Sequence, residues 1–555
     1  MVLSTTRSTL RNTDVLVVGG GIAGLSVAVF LAQQGVDCLL VERRAELSGH
    51  PRARGVHPRA MELMRAAGVE AELRGTPSAR LLADNSGVIA ATSLAGPELG
   101  VLDEKYVMDV GADIGLLSPT GWCLCHQGEL EDVLRGRAER LGVALRFGTE
   151  LVSFDQHGAG VTALLRDRAT GADRTIEARY LVAADGAHSG IRDTLGIAFD
   201  GETLGHYLNI HFDADLTEPL AGRRFLMCYT AGEGVRGALV PLDNATEWLL
   251  HVAYDPETTE LGSFTEERCA ELVRAAAGVP ELRPRIRSVS PWDGAARTAG
   301  RFRDGRVFLV GDAAHVMPPS GGFGSSTGIQ DAHNLAWKLA AVVAGWAGEA
   351  LLDSYDEERR PICRATVEQA ALRSKDRPRL TGGTGGIGGS GGTGERPPVH
   401  PGIVEDAQVW LSWRYRSSAV TAWDEGVLPG YGVWSAENDG RPGGRAPHLR
   451  LRRGGAELSV LDLFGDRPVL LTGPDNRAWQ EAARAVAHEL DLPLTVHGIG
   501  AELIDVDDRW PELYGVTAQG AVLVRPDGVV AWRCADAPIF ARDTLRAVLV
   551  RLLAR

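Results

Sequence analysis

Three small constellations in this 555-residue chain have the residue types and spacing to hold a phosphorylated cofactor. Gly19, Gly21 and Gly24 fit G-x-G-x-x-G, with Ile22 and Ala23 between the last two. Gly19 permits a tight turn, Gly21 lets the backbone approach a pyrophosphate, and Gly24 lets a helix pack closely on a strand. The helix N-terminus then faces the phosphates. Glu42-Arg43 ends the next strand, where the Glu42 carboxylate can accept both ribose hydroxyls of an adenosine. Asp185-Gly186 and Gly311-Asp312 each follow a short apolar run. The glycine motif alone does not separate NAD from FAD. Asp312 does, because a carboxylate delivered to a turn there can bind a ribityl hydroxyl, a group that FAD has and NAD lacks.

The elements that must position these residues can be traced from the pattern around them. Val15 to Val18 is an apolar run, Leu25, Ala28, Val29 and Ala32 recur at helical spacing, Gly35 ends the helix, and Cys38 to Val41 is a second strand. This is a β-α-β unit of about 30 residues. Tyr180–Ala184 and Val307–Val310 read as buried parallel strands that deliver polar residues at their C-terminal ends. Between them, His206–Leu216, Arg224–Thr230, Val235–Leu242 and Thr246–Tyr254 read as consecutive strands of an inserted antiparallel sheet. On it, Met227 and Tyr229 share one strand face, and Trp248, Leu250 and Val252 share a face of the next. Lining a flat apolar cavity and packing the core behind the sheet are both open to them. His211 and His251 are candidate acid/base groups there, with a structural role as the alternative.

The order of these motifs resembles the class A FAD-dependent aromatic hydroxylases, the single-component monooxygenases of the para-hydroxybenzoate hydroxylase and phenol hydroxylase type. The resemblance covers about 375 residues and rests on Gly19 to Glu42, Asp185-Gly186 and Gly311-Asp312. It also rests on Pro51-Arg52-Ala53, which implies that Arg52 contacts the FAD phosphates or ribityl chain, and on Gln127-Gly128-Glu129-Leu130-Glu131, which implies Gln127 on the flavin side. Pro318 to Gly328 then brings Pro319, Gly322, Gly324, Ser325 and Ser326 toward the flavin, with the following helix aiming its positive end at the reduced ring. Relatives usually have Asn where this chain has Ser326, and the family places a backbone carbonyl near the substrate hydroxyl at Pro319. The implied chemistry is reduction of tightly bound FAD by transiently docked NADPH or NADH, capture of O2 as a flavin C4a-hydroperoxide, and oxygen transfer to an electron-rich ring. Baeyer–Villiger cleavage on the same scaffold and a flavin-binding protein without oxygenase activity are the alternatives.

Composition narrows the partners. With 58 basic against 72 acidic residues and no basic patch, nucleic acid is an unexpected partner. No apolar run is long enough to span a membrane. Seven scattered cysteines without C-x-x-C fit reduced thiols in the cytoplasm, and four histidines near the motifs (50, 57, 188, 315) match no metal-ligand spacing. Nine glycines among the fourteen residues 381–394 mark a flexible stretch. Beyond it, a β-α-β-β-α pattern with Arg441-Pro442-Gly443 and Arg525-Pro526-Asp527-Gly528 resembles the thioredoxin-like C-terminal domain of phenol hydroxylase and the bacterial aromatic polyketide hydroxylases. Its only cysteine is Cys534, so a redox-inactive domain serving stability or oligomerisation is expected.

The expected fold class is therefore α/β. A Rossmann-like FAD-binding domain (1–78, 105–200, 286–375) carries an inserted antiparallel-sheet substrate domain (79–104, 201–285), a Gly-rich linker (376–402) and a thioredoxin-like domain (403–555). The expected substrate is a polycyclic aromatic, through a polyketide resemblance, and the expected assembly is a monomer or homodimer.

Overall fold

A computed structural model describes residues 12–47, 53–103, 114–232, 234–380, 400–421, 433–435, 438–474, 477–536 and 539–555. The chain begins with β1 (Thr13–Val18), α1 (Ile22–Gln33) and β2 (Cys38–Glu42). It continues through α2 (Pro58–Ala66), α3 (Gln127–Arg140), β3 (Ala144–Phe147) and β4 (Asp173–Ala183). It then leaves to build a second sheet from β5 (Phe199–Asp213), β6 (Met227–Gly232), β7 (Val235–Pro241) and β8 (Glu247–Tyr254), followed by α4 (Glu266–Ala277) and β9 (Arg285–Ala299). It returns to the first sheet at β10 (Val307–Leu309) and runs on into α5 (Gly324–Val343) and α6 (Ser354–Leu380).

The first sheet has eight strands, of which β10-β4-β1-β2-β3 form a parallel core, while Arg303–Asp304, Thr149–His157 and Gly160–Asp167 join antiparallel at its margins. Val15, Leu16 and Val17 are fully buried, as an unbroken apolar strand is when helices cover both faces. The chain moves outward from β1 through β2 to β3, then crosses back to β4 on the other side of β1. That reversal opens a crevice beyond the C-terminal ends of β1 and β4, which is where open α/β sheets bind ligands.

The second sheet runs His315–Val316, β9, β5, β8, β7, β6, Val88–Ala91, Glu98–Asp103. It extends past the expected boundary of 285. β5 and β9 pair along their length from Phe199↔Ala299 to Asp213↔Arg285, so residues 286–299 belong to the inserted sheet and not to the FAD-binding domain. Pro291 and Gly294 hide this strand in the sequence. Among the described residues β9 pairs on its outer side only at Arg297 and Thr298, so over most of its length it is an edge strand, where proline is tolerated.

α6 continues to Leu380, past the expected start of the linker at 376, and the glycine-rich stretch 381–394 lies outside the described residues. The chain next forms α7 (Asp406–Leu411). Its Val409, Trp410 and Leu411 pack on Phe323 and Ala370, so the segment after 403 belongs first to the flavin side. The last unit is β11 (Val469–Thr472), α8 (Arg477–Glu489), β12 (Thr495–Gly498), β13 (Ala521–Val524), β14 (Val530–Cys534) and α9 (Ala541–Leu552). Its sheet order is β12-β11-β13-β14, parallel in the first pair and antiparallel in the other two, which is a thioredoxin-like topology.

Two buried histidines give this fold an acid limit. Burial pushes His57 down to about 3 and His448 down to about 4 from the ordinary 6.5. Below pH 6.5 the unfolded chain binds more protons than the folded one, so stability present above that pH is lost as pH falls toward 4. These two groups should give a slope of about 3 kcal/mol per pH unit near the middle of that window. Denaturant unfolding measured across the window checks this, and a flat profile contradicts it.

Candidate active site

The glycine loop divides its labour. Gly19, at φ +113°, lies against β4: a Cβ there would stand 2.2 Å from the Ala184 carbonyl oxygen. A Cβ on Gly24 would stand 1.9 Å from the Gly19 carbonyl oxygen. Both glycines thus serve the packing of α1 on the sheet. Gly21 differs, because its nearest neighbour would be Glu131 Oε1 at 3.7 Å. It is the N-cap of α1, where the described residues provide neither a side-chain cap nor an acidic residue in the first turn. The Ile22 side chain turns into the core, and Ala23 meets Gly311, whose Cβ would lie 2.8 Å from its own. Glu42 sits beside the loop, accepting from Gly20 N at 2.7 Å and Arg44 N at 2.9 Å, with lone pairs left for ribose hydroxyls. Arg43 is exposed at the same rim, and Arg52 lies outside the described residues.

At the end of β4, Asp185 Oδ2 accepts from Ile191 N at 3.3 Å, while its Oδ1 is buried with no partner among the described residues. Burial raises its pKa. Gly186 follows at φ +88°. Arg192, buried and lying over the Phe199 ring at 3.8 Å, donates to Ala187 O and to Ala313 O, so it ties the Asp-Gly turn to the Gly-Asp turn. Gly311 (φ +59°) donates its N–H to Asp331 Oδ2 at 3.1 Å, and Asp312 is exposed on the turn.

Asp331, one of the site-building residues that the sequence motifs did not single out, also accepts from Arg359 Nε at 2.8 Å and lies 2.6 Å from His315 Nε2. Burial opposes charge on His315, but Cys363 and Asp331 hold its imidazole well above the ordinary range. His315, Asp331 and Cys363 bring ligand-type atoms together. The Arg359 guanidinium already supplies the cation there, donating to both Asp331 and Cys363.

The loop before α5 presents Gly322 (φ +65°), whose Cβ would meet the Trp122 ring at 3.5 Å, and Gly324, whose nearest neighbour would be Met317 at 3.8 Å. The Pro319 carbonyl accepts from Gly322 N at 3.0 Å, closing the turn. Ser325 is half-buried in the first turn of α5, which has neither a side-chain cap nor an acidic first-turn residue among the described residues. Ser326 is a correction. It is fully buried and its Oγ accepts from His57 N at 3.3 Å, so its hydroxyl is engaged by the protein backbone instead of standing open to a ligand. One helical step beyond Ser325 rotates it inward. Gln127 accepts from Ala53 N at 3.2 Å and donates to Glu131 Oε1 at 2.8 Å, pinning the segment that follows Arg52. Trp122 and Trp410 meet edge to face at 5.1 Å, with His57 stacked on Trp410 at 6.0 Å. These three come from distant parts of the chain, and no sequence spacing links them.

On the second sheet, Trp248 and Leu250 are fully buried beneath α4 with Cys269, Val273 and Ala276. The proposed lining role is therefore overturned for both: the pleat puts them on the covered face with Ile210 and Phe212. The opposite face carries Met227, Tyr229, Leu249, His251, Asn209 and Tyr207. His211 is buried there against Glu247 at 2.8 Å, which Arg287 also contacts. His251 Nδ1 and Trp292 Nε1 both meet Asn209 Oδ1, at 2.5 and 2.6 Å, and Trp292 stacks on Tyr207 at 4.5 Å. Arg54 joins this sheet to the cradle by donating to Pro241 O and Leu226 O, each at 2.9 Å.

The donor set fits FAD. The Gly21 backbone is open, two helix N-termini lack caps among the described residues, an Asp185 oxygen is orphaned, and a second carboxylate, Asp312, stands at the end of the adjacent strand. Comparison with known proteins agrees. An FAD binding domain family matches residues 12–370, and an aromatic-ring hydroxylase C-terminal family matches 439–555. The chain belongs to the class A FAD-dependent aromatic hydroxylases. It is 41% identical to a tetracenomycin A2 monooxygenase-dioxygenase of Streptomyces glaucescens, covering 98% of this chain and 97% of that one. It is 42% identical to a 4-methyl-5-nitrocatechol 5-monooxygenase of a Burkholderia species, over 97% of each. A crystal structure of aklavinone-11 hydroxylase with FAD and aklavinone superposes with a TM-score of 0.87 at 40% identity, covering 99% of this chain and all of that one. This hydroxylase is thus a flavin-dependent monooxygenase that takes O2 and a reduced nicotinamide as co-substrates. Among its described residues no helix is long and apolar enough to cross a membrane.

Proposed function

We propose that this hydroxylase oxidises a fused-ring aromatic polyketide laid against the open face of the second sheet. The observation that carries the proposal is the Tyr207–Trp292 stack beside the His251–Asn209 pair. It offers a flat apolar platform with one titratable group on a face that Arg54 fastens to the cofactor cradle. Two of the three relatives described are named for tetracenomycin A2 and aklavinone, and a further one, from Streptomyces halstedii and 45% identical, is named a putative polyketide hydroxylase. Bound FAD supplies the electrons taken from NADPH or NADH and the site of O2 activation.

The chain's own share begins with holding FAD. Gly21 and the α1 N-terminus receive the pyrophosphate, Glu42 takes the adenosine ribose, and Asp312 takes the ribityl chain. The α5 N-terminus, at Gly324-Ser325, places positive dipole where negative charge gathers on reduction. Asn209 accepts the Nδ1 proton of His251, which leaves Nε2 as the basic nitrogen of the neutral ring, suited to take a phenolic proton. His211, engaged with Glu247, keeps the sheet together instead. Met227 and Tyr229 line the same face, and Trp122, Trp410 and Phe323 wall the α5 end against water.

The test is purification followed by NADPH addition in air, with and without an aromatic polyketide such as aklavinone. The expected result is yellow protein, NADPH oxidation accelerated by the polyketide, and a product heavier by one oxygen that remains a phenol. Colourless protein, or NADPH consumption that yields only hydrogen peroxide with every polyketide and faster turnover on single-ring phenols, overturns the proposal.

A further inference from the structure

The β13–β14 turn, Arg525-Pro526-Asp527-Gly528, does not stay within the thioredoxin-like domain. It enters the FAD-binding domain and meets α5 and α6 in a fully buried ionic cluster. Arg525 presents both ends of its guanidinium to Glu358, at 2.5 and 2.8 Å, and also to Asp527, at 3.0 and 2.5 Å. Lys338 donates to Glu358 at 2.8 Å and to Asn334 at 2.9 Å. Asn334 donates to Glu358 at 2.8 Å and to Asp527 at 3.1 Å. Two cations and two anions cancel, and every carboxylate oxygen has at least one donor. Such a cluster adds little net stability over apolar packing, but its forks and carboxylates are satisfied at a single register.

The register it sets is that of the flavin helix. Asp331, Asn334 and Lys338 fall at i, i+3 and i+7 of α5, on one stripe. One end of the stripe holds the Gly311 N–H through Asp331, its middle meets the C-terminal turn through Asn334 and Asp527, and its other end, Lys338, meets Glu358, which also binds Arg525. On α6, adjacent residues repeat the division: Glu358 grips Arg525, and Arg359 grips Asp331. A third connection runs from Asp527 O to Arg59 of α2, at 2.9 Å, whose N-cap His57 in turn meets Ser326. The turn therefore touches α2, α5 and α6, of which α5 carries its N-terminus into the cradle.

We propose that Arg525 and Asp527 are positioning residues for the flavin, through which the thioredoxin-like domain sets the placement of the Gly311-Asp312 turn and the α5 N-terminus. This rests on the assignment of that turn and helix end to FAD.

The experiment titrates FAD onto deflavinated full-length protein and records the visible circular dichroism of the flavin at saturation. Arg525→Met should raise the FAD Kd about tenfold or more and alter the flavin dichroism, with Arg525→Lys recovering part of both. Val486→Ala, a cavity in the core of the same domain away from the turn, should lower Tm yet leave both readings unchanged. Wild-type Kd and dichroism in Arg525→Met, or equal weakening by Val486→Ala, overturns the proposal. Where Arg525→Met yields no folded protein, Arg525→Lys decides by the same criteria. Asp312→Ala in the same titration separates the two readings: if it binds FAD normally, the cradle assignment itself has failed.

Discussion

Asp312→Ala is expected to fold and to emerge without flavin. The side chain is exposed on its turn, and the turn is held by Gly311 N–H to Asp331 and by Arg192 to Ala313 O, none of which the substitution touches. Tm of the cofactor-free protein should therefore stay close to wild type. A carboxylate accepting polyol hydroxyls makes charge-assisted hydrogen bonds, and losing two should cost about 3 kcal/mol or more, roughly a hundredfold in FAD Kd. Fluorescence titration with FAD measures this, and near-wild-type binding would falsify the assignment of Asp312 to the ribityl chain.

The glycine loop supplies a second large effect, read as a contrast between two substitutions three residues apart. Gly21→Ala places a methyl no nearer than 3.7 Å to any neighbour, an ordinary contact with Glu131 Oε1, on an extended backbone (φ −81°, ψ −175°), so the cofactor-free fold should be unaffected. The same methyl stands where a pyrophosphate must approach the α1 N-terminus, and FAD binding should be abolished. Gly24→Ala drives its methyl to 1.9 Å from the Gly19 carbonyl oxygen, which is backbone and cannot swing aside. α1 must lift from the sheet, and Tm or soluble yield should fall sharply even without cofactor, as overpacking in a closely packed core does. Thermal unfolding of both deflavinated proteins separates the cases. Equal Tm losses, or retained FAD in Gly21→Ala, would show that the loop does not divide its roles in this way.

Much of the local structure that carries the proposed cradle was legible because its parts are consecutive in the chain. A strand, a glycine turn and a helix N-terminus are consecutive in the chain, so Gly19, Gly21, Gly24 and Glu42 could be read from spacing and composition alone. The same holds for Asp185-Gly186 and Gly311-Asp312, each at the end of its own strand. Reading failed where a residue's environment depends on which face a regular element turns to a distant partner. Strand alternation grouped Trp248 with Leu250, but only α4, packed on that side, makes their face the covered one. Helical rotation likewise buries Ser326 and gives its hydroxyl to the His57 N–H, a partner that no spacing shows. β9 escaped notice because Pro291 and Gly294 punctuate it, and a strand that long becomes visible only through its partner β5.

The sequence by itself determined the fold class, the FAD family and the order of its motifs, since each motif is a short stretch whose chemistry is complete within a few residues. Only the tertiary structure decided how these stretches are held. Asp331 under the Gly-Asp turn, the Trp122–His57–Trp410 group and the buried Arg525–Glu358–Lys338–Asp527 cluster join residues far apart in the chain. Buried charges and rings are fixed by partners that must satisfy them in space, and periodicity along one segment carries no record of a partner supplied by another.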